Sequence, residues 1–174
     1  MTATRRAPRV LGVDPGLNIT GYAVLEVAPG GPKLCEAGVI RGPSRESVAA
    51  RVAEIFAGIS DAIAALAPSA MALEELYSHY DRPRTSILMA HARGVICLAA
   101  AQAGIPVVNY SATRIKKTLT GNGRASKSQM QRAVERELRL AAPPEPHDVA
   151  DALAAALCHY YSQPDWAAIT RRRA

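Results

Sequence analysis

The sequence predicts an α/β domain in the order β-β-β-α-β-α-β-α-α, a five-stranded mixed sheet with three antiparallel strands, then two parallel ones, and helices on both faces. Three observations carry that reading. Strand-forming runs at Val10 to Val13, Thr20 to Val27 and Leu34 to Ile40 are separated by turn residues, Pro15-Gly16 and Pro29-Gly30-Gly31-Pro32, so they pair as a meander. From Val48 to Leu66 the apolar residues recur at steps of three and four, which marks one face of a helix. Ala70 to Leu73 is then a short unbroken apolar run, as in a strand buried on both faces.

The remaining elements follow in order. The first helix lies between Pro43 and Pro68 and covers the meander. Ser86 to Gln102 is a second helix, rich in alanine, with Gly94 inside it and Gly104 as C-cap; it is narrow enough to pack closely. Ile105 to Tyr110 is the fifth strand, and Pro106 near its start suits a sheet edge, because proline donates nothing to a ladder. Ser111 opens a short basic helix with Arg114, Lys116 and Lys117, and the loop Gly121-Asn122-Gly123 leads on to Arg124 and Lys127. Ser126 and Gln129 have capping-box spacing, so the next helix runs from there to about Leu140, before the break at Pro143, Pro144 and Pro146. The last helix, His147 to Tyr161, presents an apolar face of Val149, Ala150, Leu153, Ala154 and Leu157. No repeat or linker divides the chain, so residues 1–174 are expected to form one domain, with an ordered core over about 8–162 and a basic tail at 163–174.

With 49% hydrophobic and 21% charged residues, the composition excludes a disordered chain. The 21 Lys and Arg outnumber the 15 Asp and Glu, and a net charge of +6 favours a polyanionic partner. Cys35, Cys97 and Cys158 are odd in number and embedded in apolar sequence, which predicts buried reduced thiols and a cytoplasmic protein. Neither an export signal nor a membrane-spanning run is expected.

Asp14 stands where the first apolar run stops at a Pro-Gly turn. Taken alone, such an acid is a turn-stabilising side chain, part of an ATPase phosphate loop, or a nuclease metal ligand. The 174 residues are too few for a two-lobed ATPase. Glu74 ends the fourth strand, and right-handed crossovers allow that strand to lie beside the first. Asp148 and Asp151 share a helix face three residues apart. Each has an ordinary reading as a helix-start, surface or loop acid. Together they suit hard divalent cations, two of which, about 3.5–4 Å apart, can hold the two reacting oxygens of a phosphodiester in line.

The residues resemble the RuvC-type Holliday junction resolvases, or crossover junction endodeoxyribonucleases, which have a ribonuclease-H-like fold. The resemblance runs through GVDPGLNITGYAVLE at 12–26, ALEELY at 72–77, ARGV at 92–95, TGNGRASKSQMQ at 120–131 and DVADALAAALCH at 148–159. It implies a structure-selective endonuclease of recombination and repair that cuts four-way junctions by metal-dependent hydrolysis, leaving 5′-phosphate and 3′-hydroxyl ends. Paired nicks by a homodimer, Mg²⁺ or Mn²⁺ with two ions per site, and a branch-migration helicase as partner are further implications. The family's catalytic and metal-binding acids fall on Asp14, Glu74, Asp148 and Asp151, the set the residues themselves select; Glu75 falls outside it. Tyr77 matches an aromatic near unpaired bases, and Lys116, Lys117, Arg124 and Lys127 lie in the DNA-contacting segment.

The chain departs from the family between Tyr77 and Arg93, where SHYDRPRTSILMAHARG replaces a more usual segment. Arg82 and Arg84 are expected to contact phosphate there, and Tyr77 and Tyr80 either stack on bases or pack in the core. His147 is a proton carrier or a plain helix-start residue. The alanine-rich helix is the expected dimer interface. Two alternatives stay open: a nuclease of this fold acting on RNA or an RNA/DNA hybrid, and a junction-binding adaptor with weak catalysis.

Overall fold

The computed structural model describes residues 7–43, 45–76 and 83–166. Its strands are β1 (Arg9–Asp14), β2 (Ile19–Ala28), β3 (Gly31–Arg41), β4 (Ala70–Glu74) and β5 (Val107–Tyr110), and its helices are α1 (Val48–Leu66), α2 (Pro83–Gln102), α3 (Ala112–Thr120), α4 (Lys127–Leu138) and α5 (His147–Ser162). They form one five-stranded sheet in the order β3-β2-β1-β4-β5. The meander is antiparallel, whereas β4 runs parallel to β1 and β5 parallel to β4, as the crossover helices require. β1 is therefore central, with the end of β4 beside its own.

Strand alternation sorts the side chains onto two faces. Leu11, Val13, Val24, Met71 and Leu73 pack with Ile55, Ile59 and Ile63 of α1 and Ala92, Ile96, Ala99 and Ala100 of α2. Val10, Ala23, Leu25 and Ala72 face the other way, onto α5, with α3 and α4 behind it. Ser47, Ser111 and Ser126 cap their helices, the last in a full capping box. A buried hydrogen bond of 2.9 Å between the Tyr110 hydroxyl and His159 Nδ1 joins β5 to α5, and burial pushes the His159 pKa down.

Four expectations change. α5 has more than one apolar face: Val149, Ala150 and Ala152 to Tyr160 are all buried, because the sheet covers one side and α3 and α4 the other. β5 begins at Val107, and Pro106 precedes it, its carbonyl accepting from Met71 N at 2.9 Å. Of the cysteines only Cys158 is buried; Cys97 is half-buried and Cys35 is exposed, since β3 is an edge strand whose flanking apolar residues are themselves only partly covered. Packing also runs past residue 162, where the Trp166 ring meets His159 edge-on at 5.1 Å. Among the described residues no helix is long and apolar enough to cross a membrane.

Candidate active site

Asp14 and Glu74 are the last residues of β1 and β4. Since Val13 pairs with Leu73, the two acids are lateral neighbours, and alternation turns both to the α5 side. The turn after Asp14 is held by the Thr20 hydroxyl, which donates to the Gly16 carbonyl oxygen at 2.7 Å.

Two glycines bring α5 to them. Asp14 pairs across the ladder with Gly21, and a Cβ on Gly21 would lie 2.0 Å from the Asp148 carbonyl oxygen. Two residues back from Asp14 on the same face, a Cβ on Gly12 would lie 2.1 Å from the Ala152 carbonyl oxygen. Helix backbone therefore rests directly on sheet backbone, which only glycine permits. This contact sets Asp148 over Gly21 and Asp151 on the same helix face. Pro146, the N-cap of α5, gives no side-chain cap, so the positive end of the helix dipole also faces this cluster.

The acids act on one another. Burial, followed by the charges of Asp151, Glu74 and Asp148, pushes the Asp14 carboxyl up to about 7, with Lys127 opposing. Glu74 is raised by burial and by Asp151, against Lys116 and Lys127. Asp151 is raised by burial and, less, by Asp148, against Lys127, His147 and Lys116. The four predicted acids thus share one electrostatic site. Among the described residues, however, no three His, Cys, Asp or Glu side chains stand in closed ligand geometry.

The charges of Lys116 and Lys127 act on the acids, and Lys117, Arg124 and Arg84 are exposed. Glu75 is exposed, and its amide donates to the Tyr110 carbonyl oxygen at 2.9 Å; alternation turns it from the cluster. Tyr77, Tyr80 and Arg82 lie outside the described residues. The sequence reading passed over Gly12 and Gly21. Their signal was the alternation Val10-Gly12-Asp14, which puts a residue without a side chain on the same face as the acid.

A family model described as Crossover junction endodeoxyribonuclease RuvC matches residues 10–159. The crossover junction endodeoxyribonuclease RuvC of Rhodopirellula baltica is 58% identical over 154 residues, covering 87% of this chain and 85% of that protein. The Thermus thermophilus RuvC structure superposes with a TM-score of 0.81 at 31% identity, over 88% of this chain and 95% of that one. The same organism's RuvC in complex with Holliday junction substrate gives a TM-score of 0.79 at 29% identity, over 89% and 95%. With the ribonuclease-H-like sheet in common and the sequence match spanning nearly all of the fold, the chain belongs to the crossover junction endodeoxyribonuclease RuvC family.

Proposed function

We propose that this chain is a cytoplasmic endonuclease that resolves four-way DNA junctions in recombination and repair, and that Asp14, Glu74, Asp148 and Asp151 hold its divalent cations. The observation that carries this reading is the mutual electrostatic action of four carboxylates delivered by β1, β4 and α5. Such an arrangement destabilises the fold unless a cation joins it. The donors are all hard oxygens, which suit Mg²⁺ or Mn²⁺ rather than a softer metal, and side-chain rotation would close them. Two such ions would polarise the scissile phosphate and lower the pKa of the attacking water.

In the hydrolysis the water oxygen bonds to phosphorus and the bond to O3′ breaks, leaving a 5′-phosphate and a 3′-hydroxyl. Lys116 and Lys127, facing the acids, balance the charge of the incoming phosphate against them. Lys117 and Arg124, with Arg82 and Arg84, bind flanking phosphates and fix register, and Tyr77 meets the unpaired bases. The complex of the T. thermophilus relative with Holliday junction substrate supports this choice of DNA.

Resolution needs two nicks related by two-fold symmetry, so the working unit is a homodimer. α2 supports this. Ala92, Ile96 and Ala99 bury inward, while Ile87, His91, Gly94 and Leu98 form an exposed outward stripe on which a Cβ at Gly94 would meet nothing within 4 Å. A branch-migration helicase would deliver the junction. The test is to offer the protein, with Mg²⁺, a fixed junction, a mobile junction, duplex, single strand and an RNA/DNA hybrid of matched length. Paired nicks confined to the junctions are expected, and equal cutting of duplex or hybrid would overturn the reading.

A further inference from the structure

Arg93 stands on α2 beside the open ends of β4 and β5. Its Nη1 donates to the main-chain carbonyl oxygen of Glu74 at 2.7 Å, and its Nη2 donates to Asn109 Oδ1. Asn109 is the register partner of Leu73, one residue before the pair Glu74 and Tyr110. A single planar guanidinium therefore spans two neighbouring strands where the ladder ends. That same peptide group is held from its other side, because Glu75 N donates to the Tyr110 carbonyl oxygen at 2.9 Å. Both polar atoms of the 74–75 peptide are thus restrained, the oxygen by Arg93 and the N–H by β5.

Fixing that peptide plane fixes ψ of Glu74, and pairing of β4 with β1 up to Leu73 fixes the backbone before it. The direction in which the Glu74 side chain leaves the backbone is then set. We propose that Arg93 is a positioning residue for the active site, holding the Glu74 carboxylate in line with Asp14 through the Glu74 carbonyl. This rests on the proposed role of Glu74 as a cation ligand. The influence passes through the backbone: the charges that act on the Glu74 carboxyl are those of Asp151, Lys116 and Lys127. A rigid fork of two donor nitrogens matches two acceptors on two strands, whereas lysine offers its donors from a single nitrogen. The same helix carries the exposed stripe of Ile87 and Leu98, so the outer face of α2 and the end of β4 are joined through one side chain.

The experiment is single-turnover cleavage of a fixed junction against Mg²⁺ concentration, with junction affinity measured separately without metal. Arg93→Gln is expected to cut about 10- to 100-fold more slowly, as loss of a residue supporting a ligand typically does, and to need more Mg²⁺ for half its maximal rate, with junction affinity unchanged. Arg93→Lys, keeping the charge and one donor nitrogen, should recover part of the rate. Asn109→Ala, which frees only the second arm, should lose less than Arg93→Gln. A folded Arg93→Gln that cuts like the parent, or cuts more slowly with an unaltered Mg²⁺ requirement, overturns the proposal. Should Arg93→Gln not fold, parental rates and Mg²⁺ dependence in both Arg93→Lys and Asn109→Ala overturn it instead. Glu74→Gln, run in parallel, separates the two readings. If it is inactive while the Arg93 variants behave as parent, only the positioning role falls; if it cuts normally, the assignment of the site falls and takes this role with it.

Discussion

The two faces of the sheet are built on different principles. Toward α1 and α2 the contact is between large side chains, Leu11, Val13, Met71 and Leu73 against Ile55, Ile59 and Ile96. Toward α5 it is backbone on backbone, with Gly12 and Gly21 beneath Asp148 and Ala152, and Ala154, Ala155 and Ala156 filling the layer. Side chains can change rotamer to absorb an altered neighbour, whereas two touching backbones cannot. All four proposed ligands lie on the second face. The proposed chemistry stands where the fold has least freedom to shift.

The sharpest way to break this contrast is Gly21→Ala. Its Cβ would meet the Asp148 carbonyl, so α5 must lift; we expect a loss of about 3 kcal/mol in denaturant unfolding. A shift of about 1 Å at Asp148 should also slow cleavage by about 100-fold. Asp14→Asn separates chemistry from fold. Cleavage in Mg²⁺ should vanish and junction binding persist, while the metal-free melting temperature should hold or rise as repulsion is relieved. Near-parental cutting by this variant would remove Asp14 from the site.

The pH dependence follows from the same repulsion. Asp14 titrates at about 7 in the folded chain, above its ordinary value of 3.8, so below that ordinary value it is protonated folded or unfolded and imposes no cost. As pH rises toward 7 the unfolded chain releases the proton first, and stability is lost until the folded carboxyl has also ionised. Glu74 and Asp151 shift in the same direction. Metal-free melting should therefore fall from about pH 4 to 7, less steeply in Asp14→Asn and less steeply with Mg²⁺ present.

Lys116→Ala should reduce the logarithmic salt slope of junction binding by about 0.9, the share of one phosphate contact. An unchanged slope would leave Lys116 facing the acids alone. The smallest effect belongs to the other face: Ile59→Val should cost about 1 kcal/mol and leave the cleavage rate unaltered.

The acids of the proposed site stand out in the sequence because each sits at a punctuation mark: Asp14 before Pro-Gly, Glu74 after an apolar run, Asp148 and Asp151 after a proline-rich break. The caps at Ser111 and Ser126 were legible for the same reason, being local chemistry. What is not local was missed. A glycine inside a strand has many possible causes, and only the helix laid across Gly12 and Gly21 shows which applies. The alanines of α5 mark no face, since alanine suits both surface and core, so its burial on all sides did not show in the periodicity. Lys116 and Lys117 are adjacent in sequence, yet only the fold tells which of them turns to the acids. Arg93 was visible only as part of a motif, its two acceptors being 19 and 16 residues away.

The dependence of the proposed site on α5 also sets when the protein can first act. A chain emerging from the ribosome presents Asp14 and Glu74 early, but Asp148, Asp151 and the helix that fills one whole face of the sheet come last. Until His147 to Tyr160 have been made and docked, the chain has two of its four proposed ligands and no shelf to hold the others. With the proposed ligands in this order, a DNA-cutting protein is unarmed until α5 has been made, and any product cut short before α5 stays so.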